Sequence, residues 1–402
     1  MVSLDRQRIV QAFPIACALI LLPLCFLGYG TDNDTYSVLD AGRVTWHLHI
    51  PFTSRNPGYW TFEAIVYVLD SLGGSVATNV ATLAMAIVLI GRFLVIADRI
   101  GVRYPLLLAG SLVATPVFAI AATSTVDYLW SLLGIVLFAE LLIADRPALA
   151  ILPAAFAFAI RGANGVLIAG AIAGALAIPL LYGHRITMRS LRLVGVGVAA
   201  AILGGLPYIE SWRLAHHSFA FTHALTGSDG MWTLRLQLGR FVYKSLYLFG
   251  PVASVILAFA VFARRAPHPI LTPYRTTATP IFIGIVLANL LLFLRYPIEI
   301  SYLLPAGFFG LLLLGISLFA RERKLTVAFL VAVVSLNLFN PQWLRPNVPG
   351  HATSARLHAA IEPGVMLADL HLRVALRDCE DYRCYYLHFH PGSRDLDLEP
   401  LK

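Results

Sequence analysis

The chain has 402 residues, of which 58% are hydrophobic and only 13% charged, and its mean hydropathy is +0.75. Soluble domains carry roughly 25% charged residues, so a string of soluble domains is excluded and a multi-span membrane protein is expected. The net charge of +8 does not point to nucleic acid: most short connections between apolar runs carry Lys or Arg, which is orientation information, and an anionic lipid surface is the partner this suits.

A helix needs about 20 apolar residues to cross a bilayer. Apolar runs at 11–29, 76–97, 105–122, 128–144, 148–160, 165–182, 193–209, 246–263, 280–294, 300–320 and 325–339 predict an all-α integral membrane fold of about eleven transmembrane helices. The first run lacks a persuasive small-residue cleavage site before the acidic loop, so it reads as span one rather than a removable signal. Between spans one and two lies a polar loop at 31–60, TDNDTYSVLDAGRVTWHLHIPFTSRNPGYW, with helical pieces expected at about 36–44 and 58–69. Residues 1–339 are expected to form the membrane domain, with 30–75 as its catalytic face, and 340–402 a short polar tail.

Alternate connections separate by charge. One set holds Arg6, Arg8, Arg99, Arg103, Arg146, Arg185, Arg189, Arg192, Arg264, Arg265, Arg275, Arg321, Arg323 and Lys324. The other set is longer and mixed in sign: the 31–60 loop, the TSTVD turn, Arg161, the 210–245 segment and the stretch from Arg295 to Glu299. The positive-inside rule then puts the N-terminus in the cytoplasm and the tail outside, in a multi-pass plasma-membrane protein. Every polar feature able to do chemistry falls on the outer side.

Each candidate has a functional and a plainer reading. Asp32 and Asp34 suit a general base or a divalent-metal pair, or a cap on the helix containing Tyr36. Arg55 could meet a phosphate, while Tyr59 suits the membrane interface. Asp127 opens span four, where the helix dipole alone favours an acid. Arg161 interrupts apolar sequence, and charge within a membrane is costly and functional by default unless it snorkels outward. Arg295, Glu299 and Tyr302 sit at the mouths of spans nine and ten, where an Arg–Glu pair could be structural. His216, His217, His223 and Asp229 lack metal-site spacing. There is no Walker A, dinucleotide or HExxH pattern. Of the four cysteines, Cys17 and Cys25 read as apolar packing. Cys379 and Cys384 permit a local disulfide if the tail faces an oxidising compartment.

Taken in order, DNDTY (32–36), SRNPGY (54–59), Asp127, Arg161-Gly162 and RYPIEISYLLP (295–305) resemble the glycosyltransferase type C (GT-C) superfamily over about residues 13–319. Its members are multi-span enzymes using polyprenyl-phosphate sugars, such as protein O-mannosyltransferases and bacterial aminoarabinose transferases. The resemblance implies an inverting transfer from a polyprenyl-phosphate sugar to a hydroxyl of a glycan, lipid or protein acceptor, outside the cytoplasm. It implies Asp32 or Asp34 as base, with Asp127 orienting the acceptor or holding a metal. It also implies Arg55, Arg161 and Arg295 on the donor phosphate, and Tyr36, Tyr59, Glu299 and Tyr302 on substrate. The cofactor stays open between a divalent ion (Mg or Mn) and none. Two departures stand out: Ser301 occupies a place where relatives often have Arg or His, and the tail is far shorter than many relatives' outer domains. The competing expectations are a lipid or solute transporter or flippase, with Arg92 as its main mid-span charge, and a non-catalytic subunit on the same scaffold.

Overall fold

The computed structural model describes residues 4–50, 52–54, 59–181, 188–214, 234–262, 273–320, 322–344 and 357–389. Arg55, His216, His217, His223 and Asp229 lie outside the described residues. Sixteen helices are described. The first eight are α1 Leu4–Leu21, α2 Asn33–Gly42, α3 Trp60–Arg99, α4 Pro105–Ala114, α5 Pro116–Ala122, α6 Tyr128–Ile143, α7 Pro147–Ile160 and α8 Asn164–Leu181. They continue with α9 Met188–Leu214, α10 Leu234–Tyr247, α11 Pro251–Phe262, α12 Pro273–Arg295, α13 Leu304–Ile316, α14 Arg323–Leu338, α15 Val365–Ala375 and α16 Tyr382–Phe389. The fold is all-α apart from one antiparallel strand pair in the tail, β1 Phe339–Leu344 with β2 Leu357–Pro363.

Every run expected as a span is helical, but the expected count of about eleven full-length spans is corrected. Among the described residues three helices are long and apolar enough to cross a membrane: Trp60–Arg99, Leu191–Ile209 and Tyr274–Arg295. The number rises to five if two bent pairs each count once: Pro105–Ala114 with Pro116–Ala122, bent by 72°, and Leu234–Tyr247 with Pro251–Ala260, bent by 89°. Five other apolar helices have only 10–17 residues. At 1.5 Å per residue a 16-residue helix reaches about 24 Å, short of a hydrocarbon core of about 30 Å.

The breaks have local causes. Thr115 precedes Pro116 and is extended (φ −63°, ψ 119°), because the proline ring disfavours helical geometry in the residue before it. Pro105, Pro116 and Pro147 begin their helices, where a missing N–H costs nothing. Within α3, Gly73 and Gly74 leave helical geometry, with Gly74 at φ +57° and ψ −146°. A side chain would be strained there. The break separates a short arm, 60–72, from the membrane-length arm beyond it.

Two apolar clusters hold these pieces. The larger runs through the long helices and includes Phe93, Phe118, Phe138, Phe282, Phe308 and Phe309. Small residues let α8 and α12 touch backbone to backbone: a methyl on Gly170 would lie 2.5 Å from the Gly284 carbonyl oxygen, and one on Gly174 only 2.2 Å from that of Pro280. The smaller cluster joins Tyr29, Tyr36, Val38, Leu39, Phe62, Val66, Trp130 and Ile160 to Leu376 and Cys379 of the tail. It underlies the polar loop. The guanidinium of Arg92 makes a two-pronged pair with Glu140, Nε to Oε2 at 2.6 Å, and Arg99 approaches the same carboxylate at 3.9 Å.

Candidate functional site

The acidic loop turns inward just after α1. Gly28 and Gly30 take positive φ, +76° and +129°, and a Cβ on Gly30 would lie 2.8 Å from that of Ser124. Asp32 then caps α2, accepting the Asp34 amide at 3.0 Å. The plain reading of Asp32 as a helix cap is therefore correct, and it does not exhaust the residue. Thr35 is fully buried and donates to the Thr125 carbonyl at 3.1 Å. Tyr36, equally buried, donates to the Gly30 carbonyl at 3.0 Å.

The partner wall is the turn from Thr123 to Asp127, every residue of which is buried. Its hydroxyl groups are satisfied internally, as burial requires. Thr125 shares a 2.7 Å hydrogen bond with Thr78 and donates to Asn79 at 2.9 Å, while Asn79 donates to the Gly28 carbonyl at 2.7 Å. The Thr125 amide also donates to the Tyr29 carbonyl at 2.9 Å. Three segments far apart in sequence are thus tied at one point: the loop entrance, the start of the long arm of α3, and the turn before α6.

Against this frame the chain brings in Glu299. Carboxylate oxygens of Asp32, Asp34 and Glu299 lie within 4.8 Å of one another, all half-buried. Tyr128 donates its hydroxyl to Glu299, and Ser301 donates at 3.1 Å. Beside them Arg161 is stacked between two phenol rings, its guanidinium carbon 4.6 Å from the centre of Tyr128 and 4.4 Å from that of Tyr302. It pairs with Asp127 at 3.4 Å. Asp127 is only 2% exposed, and its second oxygen has no hydrogen-bond partner among the described residues. A cavity of about 350 Å³ opens onto this group, lined by Thr31, Asp32, Ser124, Tyr128, Lys244, Glu299 and Ser301 together with apolar Val117, Ile120, Ala121, Val126 and Ile300. Lys244 also donates to the Ile298 carbonyl.

Eight expected site residues meet or adjoin here: Asp32, Asp34, Asp127, Arg161, Glu299, Tyr302, Tyr36 and Tyr59. Tyr59 caps the short arm, its amide 3.3 Å from Glu63, and is close enough to act electrostatically on Arg161 and Tyr302. Arg295 ends α12, its carbonyl accepting from Gln237 at 3.4 Å; it is not among the residues that line the cavity. Sequence reasoning passed over Tyr128 and Lys244, and noted Ser301 only as a departure from the family pattern. Lys244 carried a usable signal, a lone Lys in the aromatic stretch FVYKSLY. In the tail it allowed a local Cys379–Cys384 disulfide but foresaw no contact with the acidic loop. Tyr385 stacks on Tyr36, centroids 4.9 Å apart, and Cys379 is bonded to Cys384. Burial pushes the Tyr36 phenol up to about 12, with Tyr385 adding to it. Burial and then the negative charge of Asp32 push Tyr385 up to about 12 as well. Both stay neutral hydrogen-bonding groups at ordinary pH.

Three carboxylates so placed could each give one oxygen to a hard divalent cation, leaving positions for water or phosphate, as suits Mg²⁺. The same arrangement could take a proton from a hydroxyl entering the cavity. Comparison with family models, curated proteins and solved structures gives no match to this chain.

Proposed function

We propose that this is a membrane glycosyltransferase of GT-C type, moving a sugar from a polyprenyl-phosphate donor to an acceptor hydroxyl on the extracytoplasmic side, with inversion. The observation that carries it is the meeting of Asp32 and Asp34 with Glu299, some 265 residues later, on a cavity that also presents Lys244. Asp32 lines the cavity and takes the acceptor proton. The acceptor oxygen bonds to the anomeric carbon from the face opposite the phosphate. The bond from that carbon to the phosphate oxygen breaks, and its electron pair leaves with the lipid phosphate. Positive charge gathers on the sugar ring in the transition state, as in glycoside chemistry generally, and the nearby carboxylates favour it electrostatically. Lys244 meets the departing phosphate at the cavity wall. Arg161 acts from beneath, holding Asp127 and the two tyrosines. A divalent ion at the three carboxylates would supply charge neutralisation for the phosphate.

Sidedness has its own support. The Cys379–Cys384 bond lies in the tail segment that packs on α2, and disulfides persist in oxidising compartments. On this reading the tail and the acidic loop share the outer side. The test is transfer from a purified lipid-phosphate sugar by Asp32→Asn, Asp34→Asn and the double variant. Loss of a general base costs roughly 10²–10⁴-fold, and Asp32→Asn should be the more severe single change. Wild-type rates in all three exclude the mechanism.

A further inference from the structure

The C-terminal helices do more than trail from the membrane domain. Arg373 on α15 is completely buried, and its guanidinium is fully engaged. Nε donates to Asp369 at 2.6 Å, Nη1 to the Thr123 carbonyl at 2.7 Å, and Nη2 to Ser124 Oγ at 2.6 Å and the Ile120 carbonyl at 3.3 Å. The other oxygen of Asp369 accepts the Thr31 hydroxyl at 2.6 Å. Ile120 and Ser124 form one wall of the cavity and Thr31–Asp32 the other. One Arg–Asp pair from the tail therefore spans both walls. Further along, Arg43 donates to the Glu380 carbonyl at 2.7 Å, Asp40 accepts the Tyr382 amide at 3.1 Å, and Tyr385 reaches the Thr31 carbonyl at 3.5 Å.

We infer that the segment 365–389 is a clasp that sets the position of the catalytic carboxylate: Arg373 and Asp369 act as positioning residues, through Thr31, on Asp32. The geometry favours this over simple packing. Asp369 and Arg373 are four residues apart on one helix and could satisfy each other anywhere on a surface. Here both are buried and their remaining hydrogen bonds go to the two cavity walls. Charge-assisted bonds of this length are stronger and more directional than neutral ones, so they fix Thr31, and Asp32 follows by one peptide unit. The disulfide closes the loop between α15 and α16 and holds α16 against Tyr36.

The reading of Asp32 as a base rests on the proposed transferase activity; the clasp itself does not. The test uses the full chain in detergent, with Thr31→Val, Asp369→Asn and the conservative Thr31→Ser. Two readouts are taken: amide exchange across 30–40, and the kinetics of transfer. We expect exchange in 30–40 to quicken about tenfold in Thr31→Val and Asp369→Asn, with α8 and α12 unchanged. We expect kcat to fall about tenfold with the donor KM within about twofold, and Thr31→Ser to restore both, the pattern of a misplaced group rather than lost binding. Unchanged exchange at 30–40 in both variants overturns the clasp, whatever the kinetics. Exchange that quickens as expected in the two variants, together with a wild-type chain that shows no transferase activity, upholds the clasp and overturns the enzymatic reading instead.

Discussion

Removing Arg161 should unfold the site rather than merely weaken a ligand. Its side chain is 10% exposed and that of its partner Asp127 2%. Arg161→Ala leaves a buried carboxylate unpaired, and breaking such a pair by removing one member costs about 3–5 kcal/mol. It also removes two cation–aromatic contacts, at 4.6 and 4.4 Å, each worth about 0.5–2 kcal/mol. Arg161→Lys keeps the charge but loses the flat fork that fits between Tyr128 and Tyr302, so it should recover only part of the loss. The decisive variant is the double, Arg161→Ala with Asp127→Asn, in which no charge remains to be stranded. Thermal unfolding of the purified protein in detergent should rank the wild type above the double variant and the double above Arg161→Ala, with a coupling of at least about 2 kcal/mol. A melting curve for Arg161→Ala that overlays the wild type, or losses that simply add in the double, would refute the account of Arg161 as an internal brace. That result would return it to the role of a phosphate-binding group open to substrate.

Gly30→Ala combines a positive φ of +129° with a Cβ only 2.8 Å from Ser124. It should cost about 1–3 kcal/mol and push apart the two cavity walls, visible as faster exchange at both 30–40 and 120–126. Opening the Cys379–Cys384 bond, which closes a loop with a sequence separation of 5, should cost about 2 kcal/mol in chain entropy. Alkylation followed by mass spectrometry should find both thiols blocked before reduction, and finding them open would remove the support they lend to an outer site. Asp40 has its carboxyl raised by burial first, with the Tyr382 amide opposing. A raised folded value means that the folded state binds the proton more tightly. That stability is fully present below the ordinary carboxylate range and is lost as pH rises through the folded value. Exchange at 382–385 should therefore slow as pH falls through that window, and Asp40→Asn should flatten the dependence.

How much was legible beforehand varies with the kind of contact. Helix positions were plain, because twenty-odd apolar residues bounded by Arg, Pro or Gly leave few alternatives. Helix lengths were not. Thr115 breaks a run that hydropathy alone reads as continuous, since backbone geometry does not enter a hydropathy sum, whereas the Gly73–Gly74 break falls between the expected helical piece at 58–69 and the span from 76. Asp127 was singled out as a helix-mouth acid; its partner Arg161 was singled out separately, as an intrusive charge. Nothing in either stretch said that the two meet. The tail was read as a polar appendage from its composition, and nothing in that composition marks Asp369 and Arg373 as the buried pair they are.

Composition by itself determined that the chain is helical and apolar, because hydrophobic transfer acts on each segment alone. It also marked the acids, since a charge in an apolar chain needs a reason wherever it stands. Tertiary packing decided which of those charges converge. Asp32, Glu299 and Arg373 come from three distant regions, and their proximity depends on the burial of Thr125, Tyr36 and Arg373 in one polar knot, a many-body arrangement that no local stretch encodes.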